Sequence, residues 1–283
     1  MAVLRVERAQ PWLGTVVVIR AEVAAWHAEA ALEEAFDAIA AVHREMSFHD
    51  GASALSGLNR AMAGESQAVG DALWRVLNAS VLLARHSAGR FDPTVAGHLV
   101  DSGHLPRPAG RSPDPSANWR DIGLLPGRRV VLRRAVWIDL GGIAKGYAVD
   151  RAVAALRRHG VKAGVVNAGG DLRVFGEAPE TIRVRDPRDP SLTHVLAQVR
   201  DGAAATSAGY FSRLDGRSAL LDPVTGLCSD AGRSVTVCAP RAVWADALTK
   251  VVLADPHGAL PLLRKLHASA AVMDAAGHVR LFR

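Results

Sequence analysis

A glycine-rich loop near the middle of the chain carries residue types that could hold a phosphate group. Gly141, Gly142 and Gly146 have no Cβ, so a ligand can approach the backbone closely there. Lys145 stands among them, and a cation next to the free N–H groups of a helix start suits a phosphate or a pyrophosphate. Asp139, at the beginning of the loop, adds a hydrogen-bond acceptor to the same region.

Two segments that contain glycine turns would position these groups. The strand-like run 130–138 precedes the loop, and a helical pattern follows it as far as Arg158, with Gly160 as the residue that ends the helix. A second glycine pair lies inside the segment 165–175, whose pattern is strand, turn and strand. Two glycine turns that bracket one helix can line a single cleft.

Glycine loops are common, and the loop does not follow the two best-known nucleotide-binding patterns. Lys145 precedes Gly146 and no Ser or Thr follows it, which excludes a Walker A loop. The spacing of the glycines also differs from the G-x-G-x-x-G dinucleotide fingerprint. Taken alone, the loop is equally consistent with an ordinary turn between a strand and a helix.

Short blocks along nearly the whole chain resemble, in the same order, those of the ApbE-type FAD:protein FMN transferases. Each block is short, but so many in one order form a specific signal. The blocks are Leu13-Gly-Thr15, Met46-Ser47, Ser53-x-Leu55-Ser56 with Asn59, Phe91-Asp-Pro-Thr-Val95, Asp139 to Asp150, Val166-Asn-Ala-Gly-Gly-Asp171, Ala205-Thr-Ser207, Asp222-Pro-x-Thr-Gly226, Ser234-Val-Thr-Val237 and Ala245-Asp-Ala-Leu248.

The resemblance implies an α+β fold with mixed or antiparallel β-sheets covered by helices, related to the T-fold. Irregular alternation of helices and strands, and hairpin-like spacings after residue 165, favour the same class. We expect a single domain over residues 1–283. The implied reaction is transfer of FMN from FAD to a Thr or Ser hydroxyl of an acceptor protein, with release of AMP and with Mg²⁺ as the metal.

The resemblance also implies roles for individual residues. Lys145 would act in catalysis and hold the pyrophosphate, and Asp246 would act in catalysis and as a metal ligand. The carbonyl of Gly142 would be a second ligand, with Thr249 as a possible third. The remaining residues implied to contact the flavin nucleotide are Leu13, His49, Arg90, Phe91, Asp92, Asp139 and Leu221.

Simpler interpretations stay open for several of these residues. His49 is also consistent with a solvated loop, and Asp92, which precedes a proline, with a structural turn. Asp246 could form an ordinary ion pair one helical turn away with Lys250.

The chain departs from the family pattern at two positions that bear on activity. Ala219 stands where the family has a His, so no general base is present there, and Lys250 stands where the family has a metal-binding Thr. Lys250 could turn away while Thr249 supplies an oxygen, or its ammonium could take the place of the metal. The departures leave two alternative functions: a non-catalytic FAD-binding protein, and a pyrophosphatase that splits FAD into FMN and AMP.

The composition, the apolar stretches and the first residues of the chain argue against a nucleic-acid-binding protein and against a membrane protein. The net charge is +6, but the basic residues are spread along the chain and aromatic residues make up only 5%, which argues against nucleic-acid binding. No stretch approaches the roughly 20 apolar residues of a transmembrane helix, and the first residues do not read as a signal peptide. Two cysteines, Cys228 and Cys238, read as reduced thiols. We therefore expect a cytoplasmic protein without a membrane anchor.

Other elements follow from periodicity and turn residues. Asp71 is predicted to cap a helix that ends at His86, and Pro240 to begin a helix that carries Asp246. The segment 101–118 is predicted to be a surface loop. The other predicted elements are strands at 3–6, 15–20, 181–185, 194–200, 218–221 and 234–239, a helix at 26–44 and a hairpin at 271–282.

Overall fold

The computed structural model describes residues 3–186, 188–189, 191–209, 213–214, 217–227 and 232–283. Their strands are β1 (Val3–Trp12), β2 (Thr15–Ala24), β3 (Ser66–Ala68), β4 (Ile122–Leu125), β5 (Arg129–Leu132), β6 (Ala163–Ala168), β7 (Asp171–Phe175), β8 (Glu180–Arg185), β9 (Thr193–Val199), β10 (Ala203–Ala208), β11 (Arg213–Leu214), β12 (Arg217–Ser218), β13 (Ser234–Ala239), β14 (Ser269–Met273) and β15 (Val279–Phe282). Their α-helices are α1 (Ala28–Met46), α2 (Ala54–Arg60), α3 (Asp71–His86), α4 (Ala96–Asp101), α5 (Ala144–Arg158), α6 (Ala242–Ala254) and α7 (Leu260–Lys265). Short 3₁₀ helices span Ala25–His27 and Trp119–Asp121.

One large antiparallel sheet organises the fold. Its strand order is β1-β2-β6-β7-β10-β13-β14-β15, and every neighbouring pair runs antiparallel. A three-stranded sheet in the order β3-β5-β4 and a hairpin of β8 and β9 lie apart from it. This arrangement confirms the predicted α+β class with antiparallel sheets.

The helices α1, α5 and α6 pack in a row over the large sheet, and side-chain periodicity explains why. In β2, Val17, Ile19, Ala21 and Val23 are buried while the residues between them are more exposed, which is the two-residue period of a strand with one covered face. In α1, the buried residues recur on one side of the helix at the three- and four-residue spacing of an amphipathic helix. Helix α5 contacts both α1 and α6, and α6 also contacts β10 and β13.

Helix α6 is the least amphipathic of the three because it is covered nearly all round. Its buried residues include the polar Asp246 and Thr249 as well as apolar side chains such as Leu248. A helix that is buried on most faces needs its polar groups satisfied by other parts of the protein. Asp246 and Thr249 therefore need hydrogen-bond partners inside the protein.

Several predicted boundaries are confirmed, among them α5 with its end at Arg158, the segment of β6 and β7, and the C-terminal hairpin. Gly160 has a φ of +74°, as a residue that ends a helix requires. The segment between α4 and Trp119 contains no helix or strand, which agrees with the predicted loop.

Four predicted elements need correction. The run 130–138 is a strand only as far as Leu132, because Asn59 holds the backbone of Ile138 in place of a neighbouring strand. Helix α3 has Gly70 as its N-cap, so Asp71 is its first residue.

The third correction concerns Pro240, which was predicted to begin a helix. Arg241 is the N-cap residue of α6, so the proline precedes the helix. The predicted strand 218–221 is the fourth, since β12 ends at Ser218. Cys238 is a free, half-buried thiol whose pKa is raised by burial, and Cys228 lies outside the described residues.

No helix among the described residues is long and apolar enough to cross a membrane.

Candidate active site

A cleft of about 1270 Å³ lies where the two glycine turns meet. Gly141 and Gly142 line one wall, and Gly169 and Gly170 line another. The residues predicted to contact the nucleotide also line it: Leu13, His49, Arg90, Phe91, Asp92, Asp139, Lys145 and Leu221. The two positions that depart from the family pattern, Ala219 and Lys250, line the same cleft.

Lys145 lies in the first turn of α5 and is held by a carboxylate from the second glycine turn. Its Nζ donates to Oδ2 of Asp171 at 2.5 Å, and the Asp171 side chain is 5% exposed. Although burial opposes the charged form, the carboxylates of Asp171 and Asp246 outweigh it and raise the pKa of Lys145. Burial raises the pKa of Asp171 despite this partner. The Lys145 ammonium is therefore a fixed cation at the cleft wall.

Gly146 serves the contact between α5 and α6, and does not provide room for a ligand as the sequence suggested. A Cβ at this position would lie 2.2 Å from the carbonyl oxygen of Ala242 and 2.9 Å from Cβ of Asp246. The N–H of Gly146 donates to Oδ2 of Asp246 at 3.0 Å. The helix-start N–H that was expected to bind phosphate is thus used to fix the carboxylate of the neighbouring helix.

Asp150 joins the same two helices one turn further along α5. Its carboxylate accepts the N–H groups of Ala242 and Val243 at 3.1 and 3.2 Å, and Nη1 of Arg173 at 2.6 Å. Arg241, the N-cap residue of α6, has no side-chain cap, so a residue of α5 satisfies the first N–H groups of α6. Asp150 therefore sets where α6 begins relative to α5.

Asp246 is fully buried, and both of its carboxylate oxygens have partners. Oδ2 accepts the N–H of Gly146, and Oδ1 accepts Nζ of Lys250 at 2.5 Å. The attraction of Lys145 and Lys250 exceeds the cost of burial and lowers the pKa of Asp246. The lysine that follows Asp246 by four residues thus forms the predicted ion pair, but inside the cleft and not on a solvated face.

Lys250 reaches Asp246 across the face of the first glycine turn. Its Nζ also donates to the carbonyl oxygen of Asp246 at 3.1 Å, and its side chain is 19% exposed. A Cβ on Gly142 would lie 3.4 Å from Cε of Lys250. The ammonium therefore lies in the region between Asp246 and the glycine loop.

Thr249 is not among the residues that line the cleft. Its hydroxyl is fully buried, donates to the carbonyl oxygen of Asp246 at 2.6 Å and pairs with the hydroxyl of Ser207 at 2.7 Å. The structure therefore does not bring Thr249 to the position of a metal ligand. Ser207, in the predicted Ala-Thr-Ser block, does line the cleft.

Asp139 is positioned through a buried asparagine. The side-chain amide of Asn59 donates to the carbonyl of Ile138 at 2.9 Å, and its oxygen accepts the N–H of Ile138 at 2.8 Å. The N–H of Asp139 itself donates to the carbonyl of Pro93. The carboxylate accepts the N–H of Gly141 at 3.1 Å, and burial raises its pKa. Asp139 thus stands at the cleft with its backbone fixed on both sides.

The Phe91 loop forms the opposite wall. Phe91 is 5% exposed and faces Gly142, whose Cβ position would lie 3.6 Å from its ring. Nη1 of Arg90 donates to Oδ2 of Asp222 at 2.5 Å, which ties this loop to the segment that carries Leu221. Arg90 therefore links these two segments of the protein at the rim of the cleft.

Asp92 holds the turn that follows Phe91. Its carboxylate accepts the N–H and the hydroxyl of Thr94 at 2.8 and 2.6 Å, and burial raises its pKa. This geometry supports the structural-turn interpretation of Asp92 as well as its place along the cleft.

Leu13 forms the tip of the hairpin between β1 and β2 in an unusual conformation. Its φ is +57°, followed by +72° at Gly14, so the turn needs two left-handed residues. A leucine in this region is disfavoured relative to glycine, and such residues cluster at functional sites. Gly169 packs against this hairpin, since its Cβ position would lie 2.4 Å from the hydroxyl oxygen of Thr15. His49 is exposed at the cleft edge.

Three residues that hold the site together were quoted in the sequence blocks but given no role. They are Asn59, Asp150 and Asp171, and all are buried polar residues. Because these residues are polar and belong to the quoted sequence blocks, the sequence could have indicated that they have a role. Their hydrogen-bond partners lie far away in the sequence, so the role itself could not be predicted. Strand β8 also lines the cleft; the sequence predicted it as a strand, but nothing in its pattern indicated that it would lie at the site.

The side chains do not fit the Mg²⁺ ion that the resemblance implies. Mg²⁺ requires oxygen ligands in near-octahedral geometry. Both carboxylate oxygens of Asp246 already accept N–H groups, and the ammonium of Lys250 lies where a second cation would be repelled. In the part of the chain that the structure describes, no group of three or more His, Cys, Asp or Glu could hold a metal ion. Toward an anion the cleft presents Lys145 and Lys250, the backbone of two glycine turns, and the arginines Arg90, Arg183 and Arg185.

Comparisons with known proteins identify the family of this chain. The ApbE family model matches residues 13–273. The FAD:protein FMN transferase of Treponema pallidum is 30% identical over 277 residues, covering 85% of this chain and 76% of that protein. The FAD:protein FMN transferase of Rhodobacter capsulatus is 32% identical over 212 residues, covering 68% of this chain but only 40% of that protein.

Solved structures give the same fold. The ApbE protein of Thermotoga maritima superposes with a TM-score of 0.86 at 27% identity, covering 99% of this chain and 97% of that one. The flavin transferase ApbE of Vibrio cholerae superposes with a TM-score of 0.83 at 22% identity, covering 99% and 97% of the two chains, and shows the fold alone.

Proposed function

Since this chain belongs to the ApbE family, we propose that it transfers the FMN part of FAD to a hydroxyl group of an acceptor protein. The relatives that carry this activity in their names match most of the chain. The acceptor group that we propose is a Thr or Ser side chain, and AMP is the second product.

The observation that carries the proposal is the pairing of cations with glycine turns along one cleft. Lys145 and Lys250 are two of only four lysines in the chain, and both line the cleft beside Gly141 and Gly142. A pyrophosphate carries its charge on oxygens that fixed ammonium groups and backbone N–H groups can contact. The apolar side chains of Leu13 and Phe91 provide surface for an aromatic ring system.

The reaction requires attack of the acceptor oxygen on the phosphorus of the FMN side. One bond forms between that oxygen and the phosphorus, and the bond from the phosphorus to the bridging oxygen breaks. The electron pair stays on the bridging oxygen, which leaves with AMP, and the acceptor hydroxyl loses its proton. Such reactions depend mainly on in-line positioning and on neutralisation of charge. Lys145 supplies that neutralisation, and Asp246 holds the groups beside it.

No base stands at position 219, where the side chain is alanine. His49 lines the same cleft and is the candidate to accept the proton of the acceptor hydroxyl. A positioned base typically contributes about 10²–10⁴-fold to the rate, so we expect transfer by this chain to be slow.

Mg²⁺ is the metal that the family implies, with Asp246 and the carbonyl of Gly142 as its implied ligands, but in this chain the ammonium of Lys250 lies against Asp246 where the ion would bind. Because Lys250 already pairs with Asp246, we expect Mg²⁺ to bind to this chain more weakly than to a variant with a neutral residue at position 250. None of the steps above passes through the ion.

Two other functions remain as alternatives, and the residues at positions 219 and 250 favour the first of them. Ala219 and Lys250 both remove groups used for transfer, which favours a flavin-binding protein without activity. Attack by water in place of the acceptor hydroxyl would give FMN and AMP, the products of a pyrophosphatase.

We further propose that the chain acts as one domain in the cytoplasm.

One experiment separates these functions. The purified protein is incubated with FAD, in Mg²⁺ and in EDTA, with and without a library of Ser- and Thr-containing peptides. AMP is quantified by chromatography, and the peptides are searched for an FMN adduct by mass spectrometry. Transfer predicts AMP together with an FMN-bearing peptide. AMP and free FMN without an adduct would identify a pyrophosphatase, and bound FAD without AMP would identify a binding protein.

A further inference from the structure

We propose that the ammonium of Lys250 is the cation that contacts the pyrophosphate of FAD in place of a metal ion, so that this chain binds and processes FAD without a divalent cation. The inference deepens the proposed function and rests on it for the step of FMN transfer. The part that concerns FAD binding can be tested separately.

The position of the ammonium is the first support. Nζ of Lys250 lies 2.5 Å from Oδ1 and 3.1 Å from the carbonyl oxygen of Asp246, and the stem of the side chain runs beside Gly142. An ammonium has three N–H donors, and Asp246 accepts two of them. Because the side chain lines the cleft and is 19% exposed, the third donor is available to a phosphate oxygen.

The rigidity of the surroundings is the second support. The second oxygen of Asp246 accepts the N–H of Gly146, so the carboxylate cannot rotate away without losing a buried hydrogen bond. Asp150 fixes the start of α6, the helix that carries both Asp246 and Lys250. An ammonium held in this way needs little reorganisation when a phosphate arrives.

The hydrogen bonds of the Thr249 hydroxyl are the third observation that supports the inference. If Lys250 turned away and a metal were bound, Thr249 would have to supply an oxygen to the cleft. Its hydroxyl is instead buried between the carbonyl of Asp246 and the hydroxyl of Ser207. The local hydrogen bonds therefore favour an ammonium at this place.

The charges of the cleft are consistent with a substrate that brings negative charge. Lys145 pairs with Asp171, and Lys250 pairs with Asp246, so each lysine has its own buried carboxylate. Each carboxylate holds its ammonium in place from the protein side, and the N–H groups that the carboxylate does not use face the cleft. Each pair is neutral as a whole, so the attraction for the two negative charges of a pyrophosphate diester comes from the N–H donors of the two ammonium groups that remain free toward the cleft.

The test compares four proteins freed of metal with EDTA: wild type, Lys250→Thr, Lys250→Arg and Lys162→Thr. Lys162 is an exposed lysine outside the cleft and serves as the matched control. The affinities for FAD and for riboflavin, which has no phosphate, are measured by calorimetry in EDTA and in Mg²⁺. Bound Mn²⁺ is followed by its electron paramagnetic resonance spectrum, and AMP release is measured in parallel.

Wild type is expected to bind FAD equally well in EDTA and in Mg²⁺ and to show no FAD-dependent Mn²⁺ signal. Lys250→Thr should lose about tenfold or more in FAD affinity in EDTA, as for one lost charge-assisted hydrogen bond, and should recover it with Mg²⁺. Its affinity for riboflavin should not change. Lys250→Arg retains a cation and should bind FAD in EDTA even if Lys250→Thr does not fold, and Lys162→Thr should behave as wild type.

A wild-type protein that needs Mg²⁺ to bind FAD, or that binds Mn²⁺ as well as Lys250→Thr does, would overturn the inference. Unchanged FAD affinity of folded Lys250→Thr in EDTA would overturn it as well. Failure of the proposed function has a different signature: no AMP is released under any condition, while the affinities follow the pattern above.

Discussion

Replacing Gly146 by alanine tests the close crossing of α5 and α6 that underlies the whole site. The new Cβ would lie 2.2 Å from the carbonyl oxygen and 2.6 Å from the carbonyl carbon of Ala242. Both are backbone atoms, so no side chain can rotate away to make room. Helix α6 has to withdraw by about 1 Å or more, which stretches the hydrogen bond from the Gly146 N–H to the buried carboxylate of Asp246.

The expected loss of stability follows from three contributions. Overpacking a well-packed region costs about 1–3 kcal/mol. Weakening the hydrogen bond to a buried carboxylate costs about 1–3 kcal/mol. Alanine is favoured over glycine in a helix by about 1 kcal/mol, which acts in the opposite direction. The free energy of unfolding should therefore fall by about 3 kcal/mol, a decrease in Tm of roughly 5 °C for a chain of this size.

Scanning calorimetry of the purified variant measures this change, and Gly57→Ala is the matched control. Gly57 lies in α2, and a Cβ there would have no atom within 4 Å. That variant should keep or raise the Tm, because only the helix propensity changes. If Gly146→Ala melted at or above the wild-type temperature, the helices would not approach as closely as described and the reasoning about Asp246 would fail.

Three further predictions concern single residues of the site. Asp150→Ala leaves Arg173 and two N–H groups of α6 without their acceptor, so the free energy of unfolding should fall by about 3–5 kcal/mol in chemical denaturation; a loss below about 1 kcal/mol would show that Asp150 does not fix α6. Leu13→Gly relieves the left-handed leucine but removes apolar surface, so Tm should not fall while calorimetry shows weaker FAD binding; a lower Tm with unchanged binding would contradict a role in the cleft. Ala219→His should increase AMP release by up to about 10²-fold, because it adds a base to the cleft; an unchanged rate would mean that proton removal does not limit the reaction.

The sequence predicted the parts of the site that depend on local pattern. The helix that follows the glycine loop and the two strands around the second glycine pair have the expected bounds, because periodicity and left-handed glycines are local properties. The prediction that Asp246 and Lys250 interact was also accessible, since residues four apart in a helix are neighbours.

The role of Gly146 could not be predicted in this way. In the sequence it has the same appearance as Gly141 and Gly142, and only the packing of α6, 100 residues later, shows that it serves a contact between helices. The resemblance to the family implies Thr249 as a ligand because it lies one residue before the family's Thr position, whereas the direction of its hydroxyl depends on Ser207 in a distant strand. The strand that was expected to continue to residue 138 ends early because Asn59, 79 residues before Ile138, replaces the neighbouring strand.

The cap that Asp150 places on α6 has a consequence for how the protein is made. Asp150 precedes Ala242 by 92 residues. At a translation rate of about 5–20 residues per second, the ribosome needs roughly 5–20 s to add the residues that Asp150 will bind. Throughout that interval the nascent chain already contains the glycine loop and Lys145, but Asp246 and Lys250 are absent, so the cleft lacks one of its two lysine–carboxylate pairs. The contacts of Asp150 and Gly146 with α6 therefore form only after that helix, near the end of the chain, has been synthesised.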